Sequence, residues 1–207
     1  MRPMKWLALL LCASALAADN APRLIFSKSF PNSVPAFEKI TLEQSGDAEY
    51  REAEDDDQPL KFKMTAADTQ AIFDLVAKLD YFKHSLESPA KVAFMGAKTF
   101  RYESSGAPTE TKFNFSEDLN AQALLDWCEK MAESAQHRIN VERAAKYDRL
   151  GLMKALGLME SAMDRKRLVG LEQFLPILDR ISKNESYMHV ARARAAEMAE
   201  AIRNSKP

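Results

Sequence analysis

Cysteine and histidine are scarce here: 207 residues hold two of the first and three of the second. Two cysteines exclude a zinc ribbon and a disulfide framework, and three histidines supply little for a metal centre. The six glycines fall in no phosphate-cradling run and in no G-x-S-x-G turn. No Gly/Ser-rich linker or low-complexity tract divides the chain. After the first twenty residues, no apolar run is long enough to span a bilayer.

The first twenty residues are a different matter. Arg2 and Lys5 precede an uncharged stretch from Trp6 to Ala13, and Ala15-Leu16-Ala17 supplies a small-x-small pattern. The run is too short for a membrane span and predicts a signal peptide over residues 1–17, cut after Ala17 or Ala18. The mature chain is then expected to be secreted or periplasmic. A retained anchor fits poorly because Asp19, Asn20 and Pro22 follow at once. A lipoprotein built on Cys12 is disfavoured by Leu11 directly before it. Losing Arg2 and Lys5 takes the net charge from -1 to -3. Cys12 leaves too, so Cys128 stands alone and stability must come from the core.

Residues 18–116 read as a sheet domain. Leu24-Ile25-Phe26 is a short apolar strand, and Ile40 and Leu42 alternate with Thr41 and Glu43. Ser45-Gly46-Asp47 turns into a second strand. Leu60, Phe62 and Met64 alternate with Lys61 and Lys63. Thr65 then caps a helix carrying Ile72, Phe73, Val76 and Leu79 on one face. Phe100 and Tyr102, then Phe113 and Phe115, mark a closing hairpin around Ser104–Pro108. The expectation is an α+β fold: a mainly antiparallel sheet with one packed helix.

Residues 117–207 are helical throughout, and the boundary rests on the change of period. Four apolar stripes recur there: Ala121 to Ala132, Leu152 to Met163, Leu171 to Ile181, and Ala191 to Ile202. Each must be buried, in a helical hairpin or small bundle or against the sheet. Gly170 marks a turn, and Pro176 kinks the third helix or lies in its first turn. Charge divides as well. Residues 18–137 hold 13 Lys/Arg against 21 Asp/Glu, and residues 138–207 hold 14 against 9. The two parts either face one another or leave the basic helices free for an anionic envelope surface.

Every catalytic or metal-binding set is incomplete. Glu185 and His189 lie four apart on an expected helix, but no third ligand is near. The acidic stretch Glu52, Glu54, Asp55, Asp56 and Asp57 lacks the register of a calcium loop and reads as a strand connector. Ser88-Pro89-Ala90-Lys91 matches S-x-x-K formally, yet Lys98-Thr99 leads to Phe100 where that chemistry wants Gly. Cys128 sits between Leu124 and Met131 on an apolar stripe, as a core residue would. The Leu-Gly-Leu-Met repeat at 150–153 and 156–159 also reads as packing. Arg165-Lys166-Arg167 alone is no case for nucleic acid.

Ser33-Val34-Pro35-Ala36-Phe37, Ile40-Thr41-Leu42 and Gly46 resemble a family of small exported bacterial domains of unknown function. Those domains open with Pro-x-aromatic, then show an apolar strand, a Gly turn, a helix and another hairpin. Val34 stands where a cysteine is common in that family. The resemblance implies fold and export, and it transfers no activity. The sequence therefore predicts an exported, non-catalytic binding or interaction module. Its partner would be an unknown protein or envelope component, with no catalytic, cofactor or metal residues assigned. The alternative is an envelope hydrolase whose site forms only in the fold, from Asp55, Glu103 and His84.

Overall fold

A computed structural model describes residues 21–205. The expected signal peptide, its cleavage point and Cys12 lie outside the described residues. The described residues form six strands: β1 (Arg23–Ser29), β2 (Phe37–Glu43), β3 (Asp47–Arg51), β4 (Leu60–Lys63), β5 (Ala97–Glu103) and β6 (Thr109–Phe113). They make one antiparallel sheet in the order β4-β3-β2-β1-β5-β6. Among the described residues five α-helices join it: α1 (Ala66–Lys78), α2 (Leu119–Tyr147), α3 (Leu152–Asp164), α4 (Leu175–Lys183) and α5 (His189–Asn204). The α+β class and the C-terminal helices are as expected.

Alternation along the strands makes the sheet one-sided. Leu24, Phe26, Ile40, Leu42, Tyr50, Phe62, Phe100 and Phe113 are buried on one face. The other carries charge, including a ladder in which Glu103 bonds both Arg23 and Arg101. Leu24-Ile25-Phe26 proves to be the middle of the sheet, since β1 pairs with β2 on one side and β5 on the other. Gly46 turns the β2–β3 hairpin at φ +90°, and a Cβ there would sit 2.9 Å from the Met64 carbonyl.

After β4 the chain crosses the buried face through α1, whose cap is Thr65: its hydroxyl accepts the Asp68 amide at 3.1 Å. A short turn, Asp80–Phe82, then delivers the chain toward β5. Two helices cover this face, where the sequence predicts one. Ala121, Leu124, Cys128, Met131, Ala132 and Ala135 of α2 belong to the same buried cluster as the sheet and α1. The apolar stripe of α2 is thus shared. Its later positions, Val141 and Ala145, join a second cluster with α3, α4 and α5. The expected division at 116/117 falls ahead of α2. The change of cluster falls inside it, near Arg138.

The second cluster is a small bundle around Leu156, Met159, Phe174, Leu178, Ile181, Ala195 and Ile202. Gly170 at φ +56° opens the turn Leu171–Phe174, and Pro176 lies in the first turn of α4. The two clusters interlock through the segment after α3. There Val169 packs with the sheet cluster and Leu168 with the bundle. The Val169 amide donates to Ser134 Oγ at 2.8 Å. Neither sheet edge is bare. Arg138 donates to the Lys61 carbonyl at one edge (3.1 Å), and the Leu86 amide donates to Thr111 Oγ1 at the other (3.3 Å).

Candidate functional site

At the end of the sheet where β1 finishes, the buried row becomes charged. The register places Lys28 opposite Glu38 on β2 and opposite Lys98 on β5. Helix α2 crosses above this row with Glu129, Ala132, Glu133 and Gln136. Lys28 Nζ lies 3.8 Å from Glu38 and 3.6 Å from Glu129. Lys28 and Glu129 line both of two adjoining clefts. One, of about 310 Å³, is lined by Phe30, Val34, Pro35, Gln136 and Arg167. The other, of about 370 Å³, is lined by Met95, Lys98, Phe113, Phe115 and Leu125.

Two loops rim this groove, 30–36 and 88–96. The first is closed by the Phe30 amide donating to the Ala36 carbonyl at 2.9 Å. Ser33 Oγ, which contacts the Phe30 and Pro35 carbonyls at 2.7 and 2.6 Å, stiffens it. The loops meet where Phe30 and Phe94 pack edge to face, 5.9 Å between centroids. Their tips are apolar and uncovered. Val34 is 99% exposed and Phe94 56%, with Val92 and Met95 exposed beside Phe94.

The floor is polar but self-satisfied. Lys98 is buried, and burial lowers its pKa. Its ammonium donates to the carbonyls of Met95, Gly96 and Asn114 at 3.0, 3.3 and 2.7 Å, one for each proton. Burial raises the Glu38 carboxyl above its ordinary value; Lys28 opposes this, while Glu129 and Glu52 add to it. Gln136 Nε2 donates to the Tyr50 hydroxyl at 3.0 Å and lies 3.4 Å from Glu38. Arg167 reaches across from the bundle side to Glu133 at 2.9 Å and Asp126 at 2.5 Å. Burial pushes Asp126 upward, but hydrogen bonds from Lys130 and Arg167 outweigh it and hold the carboxyl low. Lys98 and Arg167 therefore have hydrogen-bond partners within the chain, while Lys28 is held only by its longer ion-pair contacts to Glu38 and Glu129. The acceptors Glu129 and Glu38 keep spare lone pairs.

The residues singled out from the sequence fall elsewhere. Asp55 is exposed in the β3–β4 connection, beyond Arg51 at the Lys39 end of the sheet. Glu103 stands at the opposite end, paired with Arg23 in register. His84 is exposed and 3.9 Å from Asp80. The three do not converge. Glu185 is not on a helix with His189, because α4 ends at Lys183 and His189 is the first residue of α5. Asn184 ends α4 and turns the chain, its Oδ1 accepting the Ser186 amide at 2.9 Å. Among the described residues, no group of three or more His, Cys, Asp or Glu is placed to hold a metal ion. Ser88 is buried in a segment outside any helix or strand, and its Oγ accepts the Ala90 amide at 3.0 Å. Cys128 is buried, and burial pushes its thiol well up. The Leu-Gly-Leu-Met repeats split: Leu152, Leu156 and Met159 are core, while Leu150 and Leu158 are exposed.

The groove residues Lys28, Glu38 and Lys98 are singled out by no motif. The signal that could have found them is parity. Phe26-x-Lys28, Glu38-x-Ile40 and Lys98-x-Phe100 place each charge on the core side of its strand.

No family model, curated protein or solved structure matches the chain.

Proposed function

We propose that the chain is an exported, non-catalytic binding module and that the groove is its ligand surface. The occupant that fits is a polypeptide segment carrying apolar side chains beside a basic group. One observation carries this reading: an uncovered apolar rim on two loops, above a floor whose cations are already paired and whose carboxylates are not saturated. An anionic ligand would meet Lys28 flanked by two carboxylates, whereas a Lys or Arg on the ligand would find Glu129 and Glu38 in excess of that one cation. The acidic balance of residues 18–137 favours the same choice. Export is supported by Arg2 and Lys5, the apolar stretch and Ala15-Leu16-Ala17. The hydrolase alternative has less support, since Asp55 and Glu103 sit at opposite ends of the sheet.

The test is a titration of isotope-labelled protein with two short apolar peptides, one bearing Lys and one bearing Asp at the same places. The basic peptide should shift amide signals around Val34, Phe94 and Glu129, and Phe94→Ser should weaken it about tenfold or more. Equal binding of both peptides, or shifts confined to other surfaces, rejects the reading. For export, mass spectrometry of the product outside the cytoplasm should give Ala18 or Asp19 as its first residue. An intact Met1 there overturns it.

A further inference from the structure

The far end of the bundle carries a second surface, independent of the groove. Two turns meet there, one joining α2 to α3 and the other joining α4 to α5. The Tyr187 hydroxyl donates to the Ala145 carbonyl at 2.9 Å, and Arg149 reaches the Ser186 carbonyl at 3.5 Å while lying over the Tyr187 ring. These contacts bring four uncovered apolar side chains to one end of the molecule. Leu150 is 82% exposed, Tyr147 72% and Val190 61%, and Met188 is exposed beside them. A water-soluble helical bundle has no internal reason to leave its turns so apolar.

Charge at this end is one-sided. Residues 143–154 hold four Lys/Arg against one Asp, and residues 180–192 hold three Lys/Arg against one Glu. The one Asp is occupied: Asp148 Oδ1 accepts the Gly151 amide at 2.9 Å. Elsewhere among the described residues of the helical half, Arg138, Arg167, Arg194 and Arg203 are paired with carboxylates, and Arg165 and Lys166 are the exceptions. Among the described residues, Arg143, Lys146, Arg149 and Lys154 form no ion pair with a carboxylate. Uncovered aliphatic tips ringed by unpaired cations are the two features that bind a protein to an anionic bilayer surface. The tips enter the headgroup layer, and the cations meet its phosphates.

We infer that the turn end of the bundle, with Leu150 and Val190 at its tip and Arg143, Lys146 and Lys154 around it, docks on the headgroup layer of an anionic phospholipid membrane. No helix among the described residues is long and apolar enough to span such a membrane. Three of the four tips, Leu150, Val190 and Met188, are aliphatic and offer a base nothing to stack on, and an exposed Tyr such as Tyr147 suits a headgroup layer as well, so the set favours lipid over nucleic acid.

Sedimentation of the full protein with vesicles tests this directly. Vesicles of phosphatidylcholine doped with phosphatidylglycerol should retain the protein at low salt, and pure phosphatidylcholine vesicles should not. Each Lys or Arg contributes about fivefold near such a surface. The variant Arg143→Gln/Lys146→Gln/Lys154→Gln should therefore lose roughly a hundredfold in affinity. Leu150→Ser/Val190→Ser should lose binding with its circular dichroism unchanged, while Phe94→Ser in the groove should keep it. Binding that ignores lipid charge overturns the inference, as does indifference to both tip variants. A dimer seen by light scattering that dissolves in Leu150→Ser/Val190→Ser, without vesicle binding, would assign the surface to a second copy of the chain instead.

Discussion

Single side chains show where the fold is held and where it is bent. Phe174 is wholly buried at the entry to α4, so Phe174→Ala removes its burial and leaves a cavity. The expected loss is about 3–5 kcal/mol, read by chemical denaturation. Cys128 is wholly buried as well, and its thiol is pushed up by burial. It should label slowly in the native protein and promptly in denaturant; fast native labelling at neutral pH would contradict its place on the buried face of α2. Asp80, Tyr81 and Phe82 are all left-handed, at φ 46°, 53° and 64°. Phe82 stacks on Phe100 at 5.3 Å and Tyr81 packs on Tyr102 at 4.9 Å, and these contacts hold the turn in place. Left-handed backbone costs an ordinary residue about 1–2 kcal/mol, while glycine loses about 0.5–1 through the unfolded chain. Asp80→Gly should therefore be neutral to slightly stabilising, and Asp80→Val should destabilise by about 2 kcal/mol. The turn has no glycine to announce it, so nothing in the sequence pointed there.

Strands and caps were the legible elements; helix partnership was not. Period-two alternation marked the strands, and Thr65 marked the start of α1, because both signals are local. The length and double allegiance of α2 are not local. Its stripe of Ala, Leu, Cys and Met looks the same whether a sheet or a helix lies opposite. Parity would have set Lys28, Glu38 and Lys98 on the core side. That they form one row depends on β5 returning beside β1, a pairing of distant segments that no local pattern encodes. The row also has a pH signature. Burial raises Glu38 in the folded chain, so the folded state takes up a proton more readily than the unfolded one. The stability that proton gives is present at acid pH and is lost as pH rises from the ordinary glutamate range through the raised value. Glu38→Gln should flatten thermal stability across that window. At neutral pH it should stay within about 1 kcal/mol of the parent, since Lys28 keeps Glu129.

At the scale of the molecule, two buried clusters share one helix and one interlocking segment, 167–173. Because Val169 packs with the sheet and Leu168 with the bundle, unfolding the bundle strips cover from both. Phe174→Ala should lower one common transition by roughly 10 °C, seen alike by circular dichroism and by fluorescence of Trp127 on α2. A sheet that melts later, on its own, would show that α2 splits near Arg138. The charge division of the sequence is met in two ways. Arg167 pairs inward with Asp126 and Glu133, while the cations of the turn end face outward. Helix α2 also sets a distance. Glu129 in the groove and Tyr147 at the tip lie 18 residues apart on one continuous helix, a rise of about 27 Å. A molecule standing on a membrane by its turn end would hold the groove that far above the headgroups. At physiological salt that is about three screening lengths, where the negative lipid field has died away. The acidic sheet would then escape repulsion by the surface that holds the basic end, and α2 would act as a stilt.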